Sequence, residues 1–450
     1  MKKIFMLLAF LYITEGYSQT QIINRDAEIE AMVNEISAEN LEQYILEMVN
    51  FGTRHTLSGT QGPERGIEPA QEWVLSKFKS FEAEAGGRLS SEIDMFVVEA
   101  DNRRIPEQAN IGNVMATLRG TDPNDDRVFI ISGHLDSRAL DVMDAEIDAP
   151  GANDDGSGVA AVIELARIMS KRSFPATIIF VGVAGEEQGL IGATHLAKKA
   201  KEENWNLVAM LNNDMIGNSN SSQTHLNDNT RMRVFSEGIP MMETEEMANL
   251  RRYTNGENDS KSRQLARYIK EVGERYVDQL EVKLVYRNDR FLRGGDHTPF
   301  AREGFTAIRM CEYNENYYHQ HENVRVENGI QYGDLPEFVD YHYVKKIAGV
   351  NLATLANLAM APSSPEKVGI DVSKLSNTST LKWSPPATGT AKGYYVLMRE
   401  TDQSNWEKKF YTTSTEHTLP YSKDNYFFAV QAVGNDGHES MPVFPIPLRR

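Results

Sequence analysis

"ATIIFVGVAGEEQGLIGATHLAKKAKEEN", residues 176–204, is the stretch whose reading decides the fold. Residues 176–185 form a short apolar run suited to a buried strand, and 190–204 carry apolar residues at helical spacing. Between the two stand adjacent glutamates, Glu186 and Glu187. Neighbouring carboxylates repel, so the pair needs a reason. An acid is favoured in the first turn of a helix, which is one explanation. The other is that one glutamate holds a cation while its neighbour handles a proton.

The same strand-then-helix unit recurs on either side. "RVFIISGH" (127–134), "LVAMLNND" (207–214) and "FTAIRM" (305–310) read as strands, and 156–172, 262–276 and 337–359 as helices. Residues 25–50 and 68–82 are amphipathic helical stretches that precede them. Strands alternating with helices in this way predict an α/β fold: a doubly wound, mostly parallel sheet with helices on both faces. Residues 218–262, polar and rich in Asn, interrupt the rhythm and read as an insertion over one face of the sheet, a lid or a tolerated loop.

Bulk properties narrow the function. With 450 residues, 40% hydrophobic and 25% charged, the chain has the composition of a multi-domain globular protein. A formal charge of −17 argues against nucleic acid or an anionic membrane as partner. Residues 1–18, "MKKIFMLLAFLYITEGYS", have the basic start, apolar run and small residues of a signal peptide cleaved near Ser18, which predicts a secreted or periplasmic protein with no integral membrane span. The single cysteine, Cys311, excludes an internal disulfide and reads as a small buried hydrophobe.

Each expected parallel strand ends in a polar signature. His134 and Asp136 close the first in "SGHLDS", Asp154 and Asp155 follow in "PGANDDGSG", Glu186 and Glu187 end the next, and Asp214 ends "NND". Open α/β sheets bind ligands beyond the carboxyl ends of their strands, so these groups converge on one crevice. So many carboxylates together are costly without a cation. Imidazole with carboxylate is a ligand set for zinc or a similar divalent ion.

As a set, "GHLDS", "GANDDGSG", "GEEQGLIG", "NNDMIG", "GGDHTPF" and "YYHQHEN" resemble the secreted di-zinc aminopeptidases, leucyl-aminopeptidase-like exopeptidases, over about residues 40–358. The resemblance implies two Zn2+ ions per chain, other divalent ions being open, and peptide substrates with a free N-terminus. It implies that Asp154 bridges both metals, that His134 and Asp214 complete one ligand set, and that Glu187 and His319 complete the other. Glu186 is then the general base that activates water and later protonates the leaving amine. Asp136 orients His134, and the Asp154–Asp155 peptide is often cis in this family. Of His319 and His321 in "YYHQHEN", the family pattern selects His319, the histidine after Tyr; Asn323 stands where that family usually has Asp. Tyr318 is a candidate donor to the oxyanion or a wall tyrosine. His297 of "GGDHTPF" shapes the cleft, and Arg54 and His55 of "FGTRHTLS" belong to packing or the cleft rim.

Beyond a Pro/Ser linker at 360–369 the pattern changes to short alternating strands. Trp383 before "SPP", "GYYVLMR", and the alternating run from Tyr426 to Val433 resemble a fibronectin type III module, which predicts a small all-β sandwich over 370–450. It carries no cluster of His, Asp or Glu and reads as a spacer, a stabiliser, or a module for attachment to a surface, polysaccharide or protein. The peptidase domain is then 19–359. Three alternatives stay open: a carboxypeptidase with Arg293 or Arg309 receiving the substrate carboxylate, a glutaminyl cyclase on the same scaffold, and a catalytically inactive binding domain.

Overall fold

The structure, a computed structural model, describes residues 25–448 apart from 60, 61 and 63; the expected signal peptide lies outside the described residues. Among the described residues no helix is long and apolar enough to cross a membrane. Eight strands form the main sheet: β1 (Leu89–Val98), β2 (Ala109–Leu118), β3 (Arg127–His134), β4 (Thr177–Val183), β5 (Asn206–Asn213), β6 (Arg231–Phe235), β7 (Glu281–Val285) and β8 (Ala307–Glu312). Their spatial order is β1-β2-β4-β3-β5-β8-β6-β7. The central four, β4, β3, β5 and β8, are mutually parallel; β1 and β2 join antiparallel at one side, and β6 pairs antiparallel with β8 at the other. The fold is α/β and mostly parallel in its centre, as the alternation of strands and helices predicts.

Each central strand is buried on both sides, and successive residues serve opposite faces. On β3, Phe129 and Ile131 enter one core and Ile130 the other; on β4, Ile178 and Phe180 oppose Ile179, Val181 and Val183. The first core is covered by α1 (Ala27–Asn34), α2 (Ala38–Val49), α3 (Ile67–Glu82) and α4 (Gly156–Met169), the second by α5 (Ile191–Glu202). After α6 (Glu245–Thr254), α7 (Lys261–Tyr276) adds to the first core, α8 (His297–Arg302) to the second, and α9 (Tyr341–Met360) to the first. From β3 the chain passes through α4 to β4 on one side, then through α5 to β5 on the other. Winding therefore reverses at β3, which opens a crevice at the carboxyl ends of these strands.

Two expectations change. The helical stretch at 25–50 is broken into α1 and α2, because Ser37 caps the second helix by accepting from the Asn40 amide. Residues 218–262 are not simply laid over the sheet: 231–235 are the strand β6 within it, and Ser260 caps α7 through the Arg263 amide.

A hairpin of β9 (Arg325–Glu327) and β10 (Ile330–Tyr332) precedes α9, and the remaining strands form two small sheets. One contains β11 (Glu366–Asp371), β12 (Ser379–Ser384), β15 (Glu416–Leu419) and β17 (Ile446–Leu448); the other contains β13 (Gly393–Glu400), β14 (Lys408–Thr412) and β16 (Tyr426–Val433). Both contribute to one core, where Trp383 meets Tyr394 edge-on with 5.3 Å between ring centroids. β11 begins at Glu366, so the connection from α9 is shorter than the expected linker.

This β unit is not loosely attached. Glu439 accepts from Arg275 of α7 at 2.9 and 3.0 Å and from Asn357 of α9 at 3.0 Å, while its carbonyl accepts from Tyr268 Oη at 2.7 Å. Arg399 donates to Asp259 at 2.7 Å, and Met441 joins the main core. A buried charge that loses its partner is far more costly than a pair absent from the outset. Glu439→Ala is expected to lower stability by about 3–5 kcal/mol in urea unfolding. The wild-type chain is expected to unfold in one transition seen by probes in both units; two separate transitions would show the junction to be dispensable.

Candidate active site

β3 ends at His134, and α4 begins beside it because neither element has side chains at the point of contact. A methyl on Gly133 would lie 2.5 Å from the carbonyl carbon of Gly158, and one on Gly158 would lie 2.4 Å from Asp155 Oδ2. That approach brings Asp154 to His134, with Nε2 3.0 Å from Asp154 Oδ1. β4 delivers Glu186 and Glu187, and β5 delivers Asp214, whose Oδ1 lies 3.9 Å from His134 Nε2. The long connection after β8 supplies His321, whose Nε2 lies 2.9 Å from both Asp154 Oδ2 and Glu187 Oε1. Three groups result that could hold a metal ion: His134, Asp154 and Asp214; Asp154, Glu187 and His321; and His134, Glu186 and Glu187.

His321, not His319, is therefore the histidine brought to this cluster. His319 is turned away and stacks on Phe338, with 3.8 Å between centroids and 9° between planes. Residues 317–321 form a turn, in which Gln320 donates to Asp154 Oδ2 at 3.2 Å and His321 adopts a left-handed φ of 57°. In an extended chain residues i and i+2 face the same way, so spacing alone does not separate the two histidines. Tyr318 meets Tyr332 edge-on at 5.4 Å, and none of its described hydrogen bonds reaches the cluster.

Further acids hold the ligand-bearing backbone. Asp136 Oδ1 and Oδ2 accept the amides of Glu186 and Glu187 at 3.1 and 2.9 Å. It is the Asp136 carbonyl, at 3.0 Å, that faces His134 Nδ1; the carboxylate is 3.8 Å away. Asp136 thus orients His134 through its main chain and the glutamate pair through its side chain. Asp155 accepts the amides of His134, Gly158 and Met215, tying β3, α4 and the end of β5 together; the Asp154–Asp155 peptide is cis. Asp334 accepts the Asn153 and Asp154 amides at 2.7–3.0 Å. Arg54 is buried and donates to the carbonyls of Leu135, Pro150 and Gly151; Thr56 donates to Asp136. "FGTRHTLS" is therefore a brace for the site. Asp334 and Gln320 carried no signal in the sequence, because each acts across more than a hundred and sixty residues of chain.

Arg309 cannot receive a substrate carboxylate: it is wholly buried between Asp214 Oδ1 at 2.8 Å and Asp289 Oδ2 at 3.0 Å. Arg293 is exposed. His297 is buried with Nε2 2.8 Å from the Asn288 carbonyl, clear of the three ligand groups.

The electrostatics reflect crowding. Burial raises Glu186 well above the usual carboxyl range, and Asp214, Glu187 and Asp296 push in the same direction. Burial acts likewise on Asp154, but the hydrogen bonds from His134 and His321 prevail and hold it well below its ordinary value. Burial opposes protonation of His321, yet Glu187 and Asp154 raise it to about 9. Burial lowers His319 to about 4. Glu187 Oε1 is buried and faces His321 Nε2 at 2.9 Å. Two ligands each ~2 Å from a tetrahedral zinc lie about 3.3 Å apart, so the donor set fits a divalent ion.

Fold and cluster together define a doubly wound α/β protein with a carboxylate–imidazole cluster that could hold a metal ion. Residues 113–328 match peptidase family M28. The chain is 45% identical over 423 residues to a probable zinc metalloprotease of Leptosphaeria maculans, covering 94% of this chain and 97% of that one. It is 44% identical over 429 residues to a probable zinc metalloprotease of Pyricularia oryzae, with 94% and 85% covered. The LapA aminopeptidase of Legionella pneumophila shares the fold with a TM-score of 0.53 at 20% identity, over 75% of this chain and 76% of that one. An aminopeptidase of Aneurinibacillus sp. strain AM-1 does so with a TM-score of 0.51 at 14% identity, over 73% and 95%. The chain belongs to peptidase family M28.

The histidine assignment is open to direct test. His321→Ala is expected to weaken retention of a divalent ion by at least about tenfold against a chelator, whereas His319→Ala leaves it within about twofold. Elemental analysis after graded dialysis reads both; the reverse order would restore His319.

Proposed function

We propose that this protein is a secreted metallo-aminopeptidase that removes N-terminal residues from peptides through a two-zinc centre. One observation carries the reading: the two oxygens of Asp154 face different imidazoles, Oδ1 at 3.0 Å from His134 and Oδ2 at 2.9 Å from His321. A carboxylate so placed suits a bridge between two ions, one completed by His134 and Asp214, the other by Glu187 and His321. The naming of the relatives as probable zinc metalloproteases supports zinc as the ion. The apolar start at 1–18 supports secretion, and the two-sheet core with Trp383 supports a fibronectin type III-like reading of the C-terminal unit.

Two zinc ions would polarise the scissile carbonyl and supply a nucleophile near neutral pH. Glu186 is the group left to move the proton. Its backbone is held by Asp136, yet among the described residues no hydrogen bond or ion pair holds its carboxylate. Burial raises its affinity for a proton above that of an ordinary carboxylate, the direction a general base needs. In this reading Glu186 accepts a proton from the attacking water and returns it to the nitrogen of the departing amine. The acidic surroundings, with Glu186, Asp214 and Asp296 close together, suit a substrate ammonium group.

Glu186→Gln is expected to reduce kcat by about 10²–10⁴-fold while the metal content is unchanged. The companion experiment is hydrolysis of aminoacyl-p-nitroanilides with a free or acetylated α-amine, with zinc and after chelation. Zinc-dependent cleavage confined to the free amines is the expected result; equal cleavage of the acetylated compounds would overturn the aminopeptidase reading.

A further inference from the structure

The rim of the cluster carries a cation whose position is fixed and whose third nitrogen is open. Arg138 follows "GHLDS" on the loop leaving β3. Its Nε donates to the Ala139 carbonyl at 3.0 Å and its Nη2 to the Leu140 carbonyl at 2.9 Å. Nη1 makes no hydrogen bond among the described residues and lies 3.9 Å from Glu187 Oε2; the side chain is 17% exposed. The loop is itself pinned, since the Leu140 amide donates to Asn323 Oδ1 at 2.9 Å, two residues beyond His321. A free arginine at a protein surface gives up much rotamer entropy on binding; this one is already ordered.

We infer that Arg138 is a carboxylate subsite, holding a substrate carboxylate within one residue of the scissile bond. The inference rests on the peptidase reading of the cluster. Three observations support it. Nη1 stands 3.9 Å from an oxygen of Glu187. An anion held on Nη1 therefore sits beside a residue of the candidate ligand cluster, close to where a scissile bond would lie. Next, Glu187 is the nearest counter-charge, and it has its other oxygen committed to the His321 side of the cluster. When Glu187 shares its charge with an ion, Arg138 is left in need of an anion. Finally, Arg309 is sealed between Asp214 and Asp289, and Arg104 is committed to the Glu187 carbonyl, whereas Nη1 of Arg138 donates to no such partner among the described residues. A carboxylate gains a charge-assisted hydrogen bond from Nη1, whereas an amide gains a weaker one. The carboxylate has two sources: the free C-terminus of a dipeptide, or an acidic side chain beside the scissile bond.

The test compares Leu-Gly with Leu-Gly amide, and Leu-Asp amide with Leu-Asn amide, on wild-type holoenzyme and on Arg138→Gln. Wild type is expected to favour the carboxylate member of at least one pair by about tenfold or more in kcat/KM. The first pair reports the C-terminus and the second the side chain. In Arg138→Gln the preference is expected to collapse to within about twofold, through KM and not kcat, with the thermal midpoint unchanged. The same collapse is expected without turnover, in the dissociation constants of Leu-Gly and its amide on Glu186→Gln with and without Arg138→Gln. A preference that survives the substitution, or an equal loss on both members of a pair, overturns the subsite while leaving the peptidase reading intact. Wild type that cleaves amides as well as carboxylates does the same. Failure of wild type to cleave any of the four overturns both together.

Discussion

Crowding of carboxylates around Asp154 is the constraint on which the rest of the structure depends. Asp154, Glu187 and Asp214 are buried within a few ångströms of two imidazoles, with Glu186 and Asp296 close behind. Like charges at such separations are tolerated only with a cation among them or with protons on some of them. These acids draw both imidazoles towards the protonated form, and a divalent ion would supply the same compensation. The surrounding acids serve a different end. Asp136, Asp155 and Asp334 each accept main-chain amides from the segments that bear the ligands. The ligands are thus held by their backbones, which leaves their side-chain oxygens open to the crevice.

That arrangement draws on the whole sheet. Asp155 alone joins β3, α4 and the end of β5, and the Gly133–Gly158 contact lets the helix start close enough for it to do so. Asp334 reaches back from the segment before α9, while Arg54 and Thr56 brace the opposite side. The C-terminal β unit extends the same logic away from the site. Glu439 pairs with Arg275 of α7 and accepts from Asn357 of α9, and Arg399 of β13 pairs with Asp259 just before α7; both helices cover the first core. The C-terminal unit, expected as a spacer, a stabiliser or an attachment module, is packed against the unit that bears the site, and its separation would expose charges on both sides.

The central strands were legible because burial on both faces leaves a continuous apolar run, and their polar ends stood out against it. The antiparallel strands β1 and β2 were not, since one of them, Leu89–Val98, is half exposed and its alternation is interrupted by Ser, Glu and Asp. β6 was missed because it is five residues long and carries two arginines within an Asn-rich segment. At the site, His134, Asp154, Glu187 and Asp214 lie at or within a few residues of a strand end or helix start, where the fold's topology fixes their convergence. The fifth expected ligand, His319, lies in a turn that brings His321 to the cluster in its place.

What the sequence by itself determined was the class of chemistry: which strands end in acids and histidine, and that their spacing of one strand–helix step brings them to one crevice. Hydrophobic periodicity and residue type are local properties, and they suffice for that. Only the tertiary structure separates His319 from His321, because a left-handed residue in one turn and the face of Phe338, part of a separate segment, give the two rings different partners. It likewise decided that Arg309 is sealed while Arg138 stays open, since burial of a charge depends on partners brought from distant parts of the chain. Such partners have no periodicity to betray them; they become neighbours only when the sheet closes.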